Sequence, residues 1–381
     1  MKVKRPRCTF CSKEAVVSLP YARLRLCEDH FEEFLIKRIR RVPLPKSITV
    51  GLSGGKDSVA MTYLLKKAGI DVKAITVDTV PEYTSREAEI AREFAETINV
   101  EHITVYPKEL YGFNALHFKF LKRKPCSLCS TLRRHALDLV TKRLGLKYVA
   151  TGHNADDMAS LALSSLMKQD LETMRKVRPV EEAYGPFVGR VKPLFWVPER
   201  DILAFVLTKR LPWIKASCPL YTQGSTFSDK IKEFLNTMED SWPGIKINLL
   251  KAVQRLIGGE EKRNANVCRY CGLAAWGEVC SVCKLRQKYK GKLPDVEPKR
   301  PKYSCAGEGD LTIVGVGWCK RVNVDVRWIR VDRLLNAVGL NKETAVAYDV
   351  NRGKPLPYDA WIGSWNKNEL MIFAIPRISP I

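Results

Sequence analysis

Apolar residues in the first two thirds of the chain follow two alternating patterns. Short dense runs at Ile48–Leu52, Val72–Val77, His102–Tyr106 and Tyr148–Thr151 read as buried strands. Between and after them, Ser58–Lys67, Ser85–Ile98, Ser130–Leu144 and Asp156–Met167 carry apolar residues at helical spacing. This alternation over residues 45–215 predicts a parallel sheet with helices on both faces. An amphipathic helix over Glu32–Arg41 precedes it, and Trp213 to about Ile257 is helical with one polar side. The pattern then breaks in a proline- and lysine-rich stretch, Leu293–Lys302. Beyond about Leu311 a small separate domain is expected, with strands at Val322–Val326, Ala345–Val350 and Glu369–Ile375 and a helix at Val331–Val338.

Size and charge narrow the class. A chain of 381 residues exceeds one ordinary core, and 45% hydrophobic content is that of a globular protein. No run of about 18 apolar residues occurs, so no membrane span or membrane partner is expected. The start, Met1-Lys2-Val3-Lys4-Arg5-Pro6, has no apolar stretch behind it, which predicts a cytoplasmic protein. The formal net charge of +23 points to a polyanionic partner, with nucleic acid the commonest. Basic clusters at Lys37–Arg41, Lys122–Lys124, Arg133–Arg134 and Lys284–Lys302 fit that expectation.

Two motifs fall after predicted strands, where open parallel sheets bind ligands. Ser53-Gly54-Gly55-Lys56-Asp57-Ser58 follows Ile48-Thr49-Val50 and opens a helix. Its glycines let backbone N–H groups approach an anion, and the helix dipole, two hydroxyls and Lys56 add to the attraction. Asp57 adds a carboxylate suited to Mg2+. The spacing is not that of the Walker loop. The second motif is Thr151-Gly152-His153-Asn154-Ala155-Asp156-Asp157. There Gly152 permits close approach and the carboxylates suit a metal, or Asn154 and Asp156 serve as helix caps.

Twelve cysteines in such a chain argue for metals over disulfides. Cys8-x-x-Cys11, then fifteen residues and Cys27-x-x-His30, has the form of a closed tetrahedral zinc site. Cys268-x-x-Cys271, eight residues and Cys280-x-x-Cys283 reads as a four-thiolate zinc ribbon. A third group is incomplete: Cys126 and Cys129 open a helix to about Lys142, and Cys218 stands far downstream. From spacing alone it is a zinc site recruiting His135 or His153, a Cys126–Cys129 redox pair, or a three-cysteine 4Fe-4S cluster with one iron free. Cys305 and Cys319 fit no pattern and read as buried small hydrophobes.

The order of these motifs resembles the tRNA 2-thiouridine synthetases of the TtuA type, which are N-type ATP pyrophosphatases of the PP-loop family. The likeness covers about residues 1–290. It implies a PP-loop (adenine nucleotide α-hydrolase-like) α/β domain flanked by two zinc modules. It also implies ATP and Mg2+ on Ser53, Gly54, Gly55, Lys56, Asp57, Ser58, Gly152 and Asp157, with Lys56 and Asp157 also catalytic. By the same likeness Cys126, Cys129 and Cys218 hold one 4Fe-4S cluster. Arg133 stands one helical turn after Cys129, where the family carries a catalytic basic residue and lysine is expected. Two Zn2+ complete the cofactors. The partners implied are tRNA and a thiocarboxylated ubiquitin-like sulfur carrier with its activating enzyme, and family members often form homodimers.

The tail, with Gly339-Leu340-Asn341-Lys342-Glu343 and Gly353-Lys354-Pro355-Leu356-Pro357, resembles the ubiquitin-like β-grasp sulfur carriers. Those end in Gly-Gly, whereas this chain ends Ile378-Ser379-Pro380-Ile381, so the tail is not expected to donate sulfur. The domains expected are 1–44 (zinc finger), 45–215 (PP-loop domain), 216–262 (helical, completing the cluster site), 263–292 (zinc ribbon), 293–306 (basic linker) and 307–381 (β-grasp). The activity expected is ATP-dependent formation of 2-thiouridine, at tRNA position 54 in the T-loop. Uridine O2 attacks the ATP α-phosphate, pyrophosphate leaves, and cluster-held sulfide displaces AMP from C2. The alternatives are thiolation of wobble uridine 34 or cytidine 32, or a non-catalytic zinc-rich RNA-binding protein.

Overall fold

The computed structural model describes residues 6–214, 227–258 and 265–293, except the side chains of 81–83, and beyond these only the backbone of the strands between 311 and 374. Cys218, Cys305, the basic linker, the expected helix at 331–338 and the C-terminal end lie outside the described residues.

The N-terminal module pairs β1 (Val17–Leu19) with β2 (Leu24–Leu26) ahead of α1 (Glu28–Ile39). The chain then alternates as expected: β3 (Ser47–Gly51), α2 (Lys56–Lys67), β4 (Asp71–Val77), α3 (Pro81–Thr97), β5 (Glu101–Val105), α4 (Pro107–Tyr111), α5 (Pro125–Arg143), β6 (Tyr148–Ala150) and α6 (Ala155–Met167). A less patterned stretch adds α7 (Leu171–Met174), β7 (Val180–Glu181), β8 (Gly189–Val191) and α8 (Glu199–Thr208). Then come α9 (Phe227–Ser241), α10 (Ile245–Leu256), β9 (Asn266–Val267), β10 (Ala274–Ala275) and α11 (Ser281–Tyr289).

The central sheet runs β5-β4-β3-β6-β8-β7, parallel except for the edge strand β7. Strand order reverses at β3, so the crevice beyond the carboxyl ends of β3 and β6 is the favoured ligand position. Both glycine motifs open onto it. Register is fixed by apolar pairs such as Val50 with Ala74, and by Thr49 with Val149. Val50, Ala74, Val149 and Ala150 are buried under helices on both faces, which is why these strands are apolar without alternation.

One continuous apolar core runs from the N-terminal module to α10. Phe31 of α1 meets Phe205 of α8 edge to face at 5.9 Å. Tyr21 donates to Asp201 Oδ2 at 2.5 Å, tying the N-terminal module to α8. The C-terminal ribbon has its own core, in which Cys268, Ala275, Val282 and Cys283 pack with Tyr111, Phe113, Leu128 and Leu132 of the α4–α5 region.

Seven tail strands are described: β11 (Leu311–Gly315), β12 (Trp318–Val322), β13 (Ile329–Arg330), β14 (Ala345–Asp349), β15 (Lys354–Pro355), β16 (Trp361–Ile362) and β17 (Leu370–Ala374). Five of them form the sheet β12-β11-β17-β14-β15, in which β11 and β17 are parallel and the other pairs antiparallel.

Candidate active site and metal centres

Gly54 has a left-handed backbone, φ +77°, and a Cβ there would stand 2.4 Å from the Glu87 carbonyl oxygen. Only glycine meets both conditions. Gly55 caps α2, and the buried Ser58 hydroxyl closes the loop. It accepts from Ser53 N at 3.1 Å and donates to Gly55 O at 2.9 Å. Gly152 lets the second motif press against the first: a Cβ there would lie 3.2 Å from Ser58 N and 3.3 Å from Asp57 Cβ.

Asn154 joins the two motifs. It caps α6 by accepting from Asp156 N and Asp157 N, and its amide donates to Asp57 Oδ1 at 3.0 Å. The two neighbouring carboxylates then divide. Asp156 is buried, accepts from Glu199 N at 2.7 Å, and takes the buried Lys246 ammonium. It is a structural tie among α6, α8 and α10. Asp157 opens to the crevice and pairs with Lys232 of α9 at 2.6 Å.

Glu199 completes the charge network, and sequence reading misses both it and Lys232. Glu199 lies 2.7 Å from Lys56 Nζ and 3.5 Å from Lys232 Nζ, while Lys56 also reaches Asp57 at 2.8 Å. Burial works to raise the Glu199 carboxyl, but Lys56 and Lys232 outweigh it and bring it down to about 2. Burial disfavours the Lys56 charge, yet Asp57 and Glu199 hold its ammonium above the ordinary range. Neither Glu199 nor Lys232 lies in a motif; each belongs to an ordinary amphipathic helix, so no local signal marks it.

The third cysteine group begins on the same sheet edge. Pro125 starts α5, Cys126 is exposed, and Cys129 one turn on is half-buried against Val80, Ala115 and Leu116. Cys129 Sγ lies 3.2 Å from Thr79 Oγ1, two residues past the end of β4. Ile214, four residues ahead of Cys218, donates its N–H to Gly54 O at 2.9 Å. Arg133 is exposed on α5. Its charge opposes the rise that burial and Asp78 impose on the Glu87 carboxyl, whose Oε2 has no hydrogen-bond partner among the described residues.

The N-terminal ligand set converges. Ligand atoms of Cys8, Cys11, Cys27 and His30 all lie within 4.8 Å of one another. Cys11 and Cys27 sulfurs are 3.7 Å apart, and Cys8 Sγ is 3.6 Å from His30 Nδ1. With Zn–S about 2.3 Å and Zn–N about 2.05 Å, a tetrahedron has S···S edges of about 3.8 Å and S···N edges of about 3.6 Å. The residues therefore fit a zinc ion. At the ribbon, the mutually close set is Cys271, Cys280, Cys283 and His135 of α5. Spacing offers His135 only to the cluster group, but its ring points to the ribbon instead. His153, the other histidine that spacing offers, contacts Thr151 Oγ1 at 2.8 Å.

A phosphate-binding glycine loop and a second carboxylate motif on a parallel sheet define the PP-loop class of ATP-using enzymes, here with two cysteine-rich metal centres. Known proteins narrow this further. Residues 7–32 match the N-terminal LIM domain of the 2-thiouridine synthetase TtuA, and residues 27–218 match the PP-loop domain family. The tRNA-5-methyluridine(54) 2-sulfurtransferase of Pyrococcus horikoshii is 32% identical over 312 residues, covering 77% of this chain and 100% of that protein. The enzyme of the same description from Thermus thermophilus is 31% identical over 315 residues, with 77% and 97% covered. Among solved structures, the U34-tRNA thiolase NcsA from Methanococcus maripaludis with its [4Fe-4S] cluster matches with a TM-score of 0.64 at 25% identity, over 78% of this chain and 99% of that one. The chain belongs to the TtuA-type tRNA 2-thiouridine synthetases, PP-loop ATP-dependent sulfurtransferases.

Proposed function

We propose that this chain converts uridine, as 5-methyluridine, to its 2-thio form at position 54 of tRNA, as the names of its Pyrococcus and Thermus relatives state for those proteins. The observation that carries this reading is Cys129 seated at Thr79, beside the strand that bears the glycine loop. A sulfur centre built there adjoins the place where ATP is activated.

The loop N–H groups and the N-terminus of α2 would receive the phosphates, and Lys56 and Lys232 would leave their carboxylates to neutralise them. In-line attack of uridine O2 on the α-phosphate forms an O2-adenylate and releases pyrophosphate, and those lysines stabilise the charge that develops. Asp57 and Asp157 would hold Mg2+, which supplies further neutralisation of the phosphates. Glu199 holds both lysines in place before nucleotide arrives. Cys126, Cys129 and Cys218 would hold a 4Fe-4S cluster, which would supply a sulfur nucleophile beside the activated C2. Arg133, exposed on α5, would supply a positive charge to the substrate near the cysteines. Two zinc ions would stay structural. Sulfur would reach the site from a separate thiocarboxylated carrier made by its activating enzyme, in the cytoplasm, with the enzyme acting as a homodimer. The tail's mixed sheet, with its first and last strands parallel at the centre, supports the β-grasp reading of residues 307–381.

Anaerobic protein given ATP, magnesium, sulfide and unmodified tRNA should yield a 2-thiopyrimidine nucleoside by mass analysis, mapped to position 54 by nuclease fragments. Thiolation mapped to uridine 34, the position named for the Methanococcus thiolase, or to cytidine 32 would replace the site assignment. Absence of any thionucleoside alongside intact tRNA binding would favour the non-catalytic RNA-binding reading.

A further inference from the structure

A cavity of about 270 Å³ opens where the ribbon packs on the ATP domain, with Leu110 of α4 and Leu139 of α5 as its apolar wall. Lys142 and Arg143 at the end of α5, Arg286 of α11 and Tyr270 of the ribbon also line it. Cys268 and Cys280 are not among its lining residues, so it lies beside the metal centre and is not the centre itself. All three cations are exposed. Lys142 Nζ reaches only a carbonyl oxygen, that of Gly272, at 2.5 Å. Arg143 and Arg286 pair with no carboxylate among the described residues. Glu278, the single acid between residues 266 and 293, is taken by Arg269 at 3.3 Å. The same Arg269 guanidinium stands over the Tyr270 ring at 5.1 Å, and that ring is 54% exposed where it lines the cavity.

An exposed aromatic ring, an apolar wall and unpaired cations around one cavity match the parts of an unstacked nucleotide. The base has a flat face to stack, and the phosphate takes guanidinium and ammonium groups. An acidic peptide would use the cations alone, and a duplex backbone would not enter the cavity. Resting on the reading of this chain as a tRNA-modifying enzyme, we propose that the cavity holds one unstacked nucleotide of the tRNA. Its base lies against Tyr270, and its phosphate lies among Lys142, Arg143 and Arg286. Leu139 stands ten residues past Cys129 on α5, so this anchor is about 15 Å along the helix from the cysteine pair. It is a second hold on the RNA, apart from the uridine that reacts.

Ultraviolet crosslinking of the full-length protein to tRNA, with peptides read by mass spectrometry, needs no variant. A nucleotide adduct on Tyr270 is expected, and adducts confined to other peptides overturn the proposal. Tyr270→Ala should weaken tRNA binding about tenfold without changing its salt dependence, because stacking releases no counterions. Joint Arg143→Gln and Arg286→Gln replacement should weaken it as well, and lower the salt slope by about 0.7–0.9 for each arginine removed. Zinc content checks that the ribbon stays folded in the variants, and the crosslink stands independently of them. Affinity within twofold of the parent in both variants overturns the proposal, while thiolation by the parent leaves the reading beneath it intact. A parent that binds no tRNA fails both. Unchanged tRNA affinity with lost sulfur delivery from the carrier would give the cavity to a protein partner and overturn the nucleotide assignment.

Discussion

At the scale of single residues, Asp201 shows what burial does to a charge. Its carboxyl is fully enclosed, and burial pushes it up to about 7 against the hydrogen bond from Tyr21. The folded chain therefore keeps a proton that the unfolded chain releases near pH 4. Stability from this group is full below about pH 4 and declines as pH rises through about 7, by on the order of 4 kcal/mol. Asp201→Asn preserves the acceptor for Tyr21 and removes the titration. Its melting temperature should fall less than the parent's between about pH 5 and about pH 8, and an unchanged difference would refute the assignment. At the crevice, Lys56→Ala and Asp157→Asn should abolish pyrophosphate release with substrate tRNA while tRNA binding, measured by filter retention, stays within about twofold. The contrast rests on the local reach of these two side chains. Lys56 and Asp157 are legible in sequence because they lie in motifs. Glu199 and Lys232 are not, because a residue whose importance comes from meeting a distant partner leaves no local pattern.

At the scale of elements, period and punctuation carry most of the fold. The strands β3 to β6 and helices α2, α3, α5 and α6 fall where the apolar spacing places them, within a few residues. The stretch from Leu171 to Thr208 is opaque, since its strands are two or three residues long and too short to show a period. The helix α5 begins at the Pro125-Cys126 pair, as the sequence suggests, because proline suits a first helical turn. That start puts Cys126 and Cys129 on one face, three residues apart. If they and Cys218 hold a cluster, protein prepared without oxygen should be brown. Alanine at any of the three should remove the colour and the thiolation and leave both zinc equivalents. Full activity from colourless, iron-free protein would sink the cluster assignment.

At the scale of the whole molecule, charge is the dominant fact. An excess of 23 positive charges is spread over exposed groups that include Lys37, Arg41, Lys122, Arg123, Lys124, Arg133 and Arg134. Phosphate contacts made by such a surface release counterions, so tRNA affinity should fall by about 0.9 log units per contact for each log unit of salt. Binding that stays flat between low and moderate salt would contradict a phosphate-led interface. Net charge is readable from composition alone, while the way the N-terminal module shares one core with the ATP domain is not. That sharing depends on long-range partners such as Phe31 with Phe205 and Tyr21 with Asp201.

The crevice itself behaves in the opposite way. Lys56 and Lys232 stand among Asp57, Asp157 and Glu199, so in the crevice both ammonium groups already have carboxylate partners and the carboxylates outnumber them. Entry is then an exchange of partners, in which phosphates take the ammonium groups and the abandoned carboxylates need a new cation. A triphosphate arriving alone would leave these acids facing its own negative charges. If nucleotide binds here as proposed, the crevice should select the nucleotide–divalent pair at the binding step, so that free ATP binds more weakly without magnesium than with it.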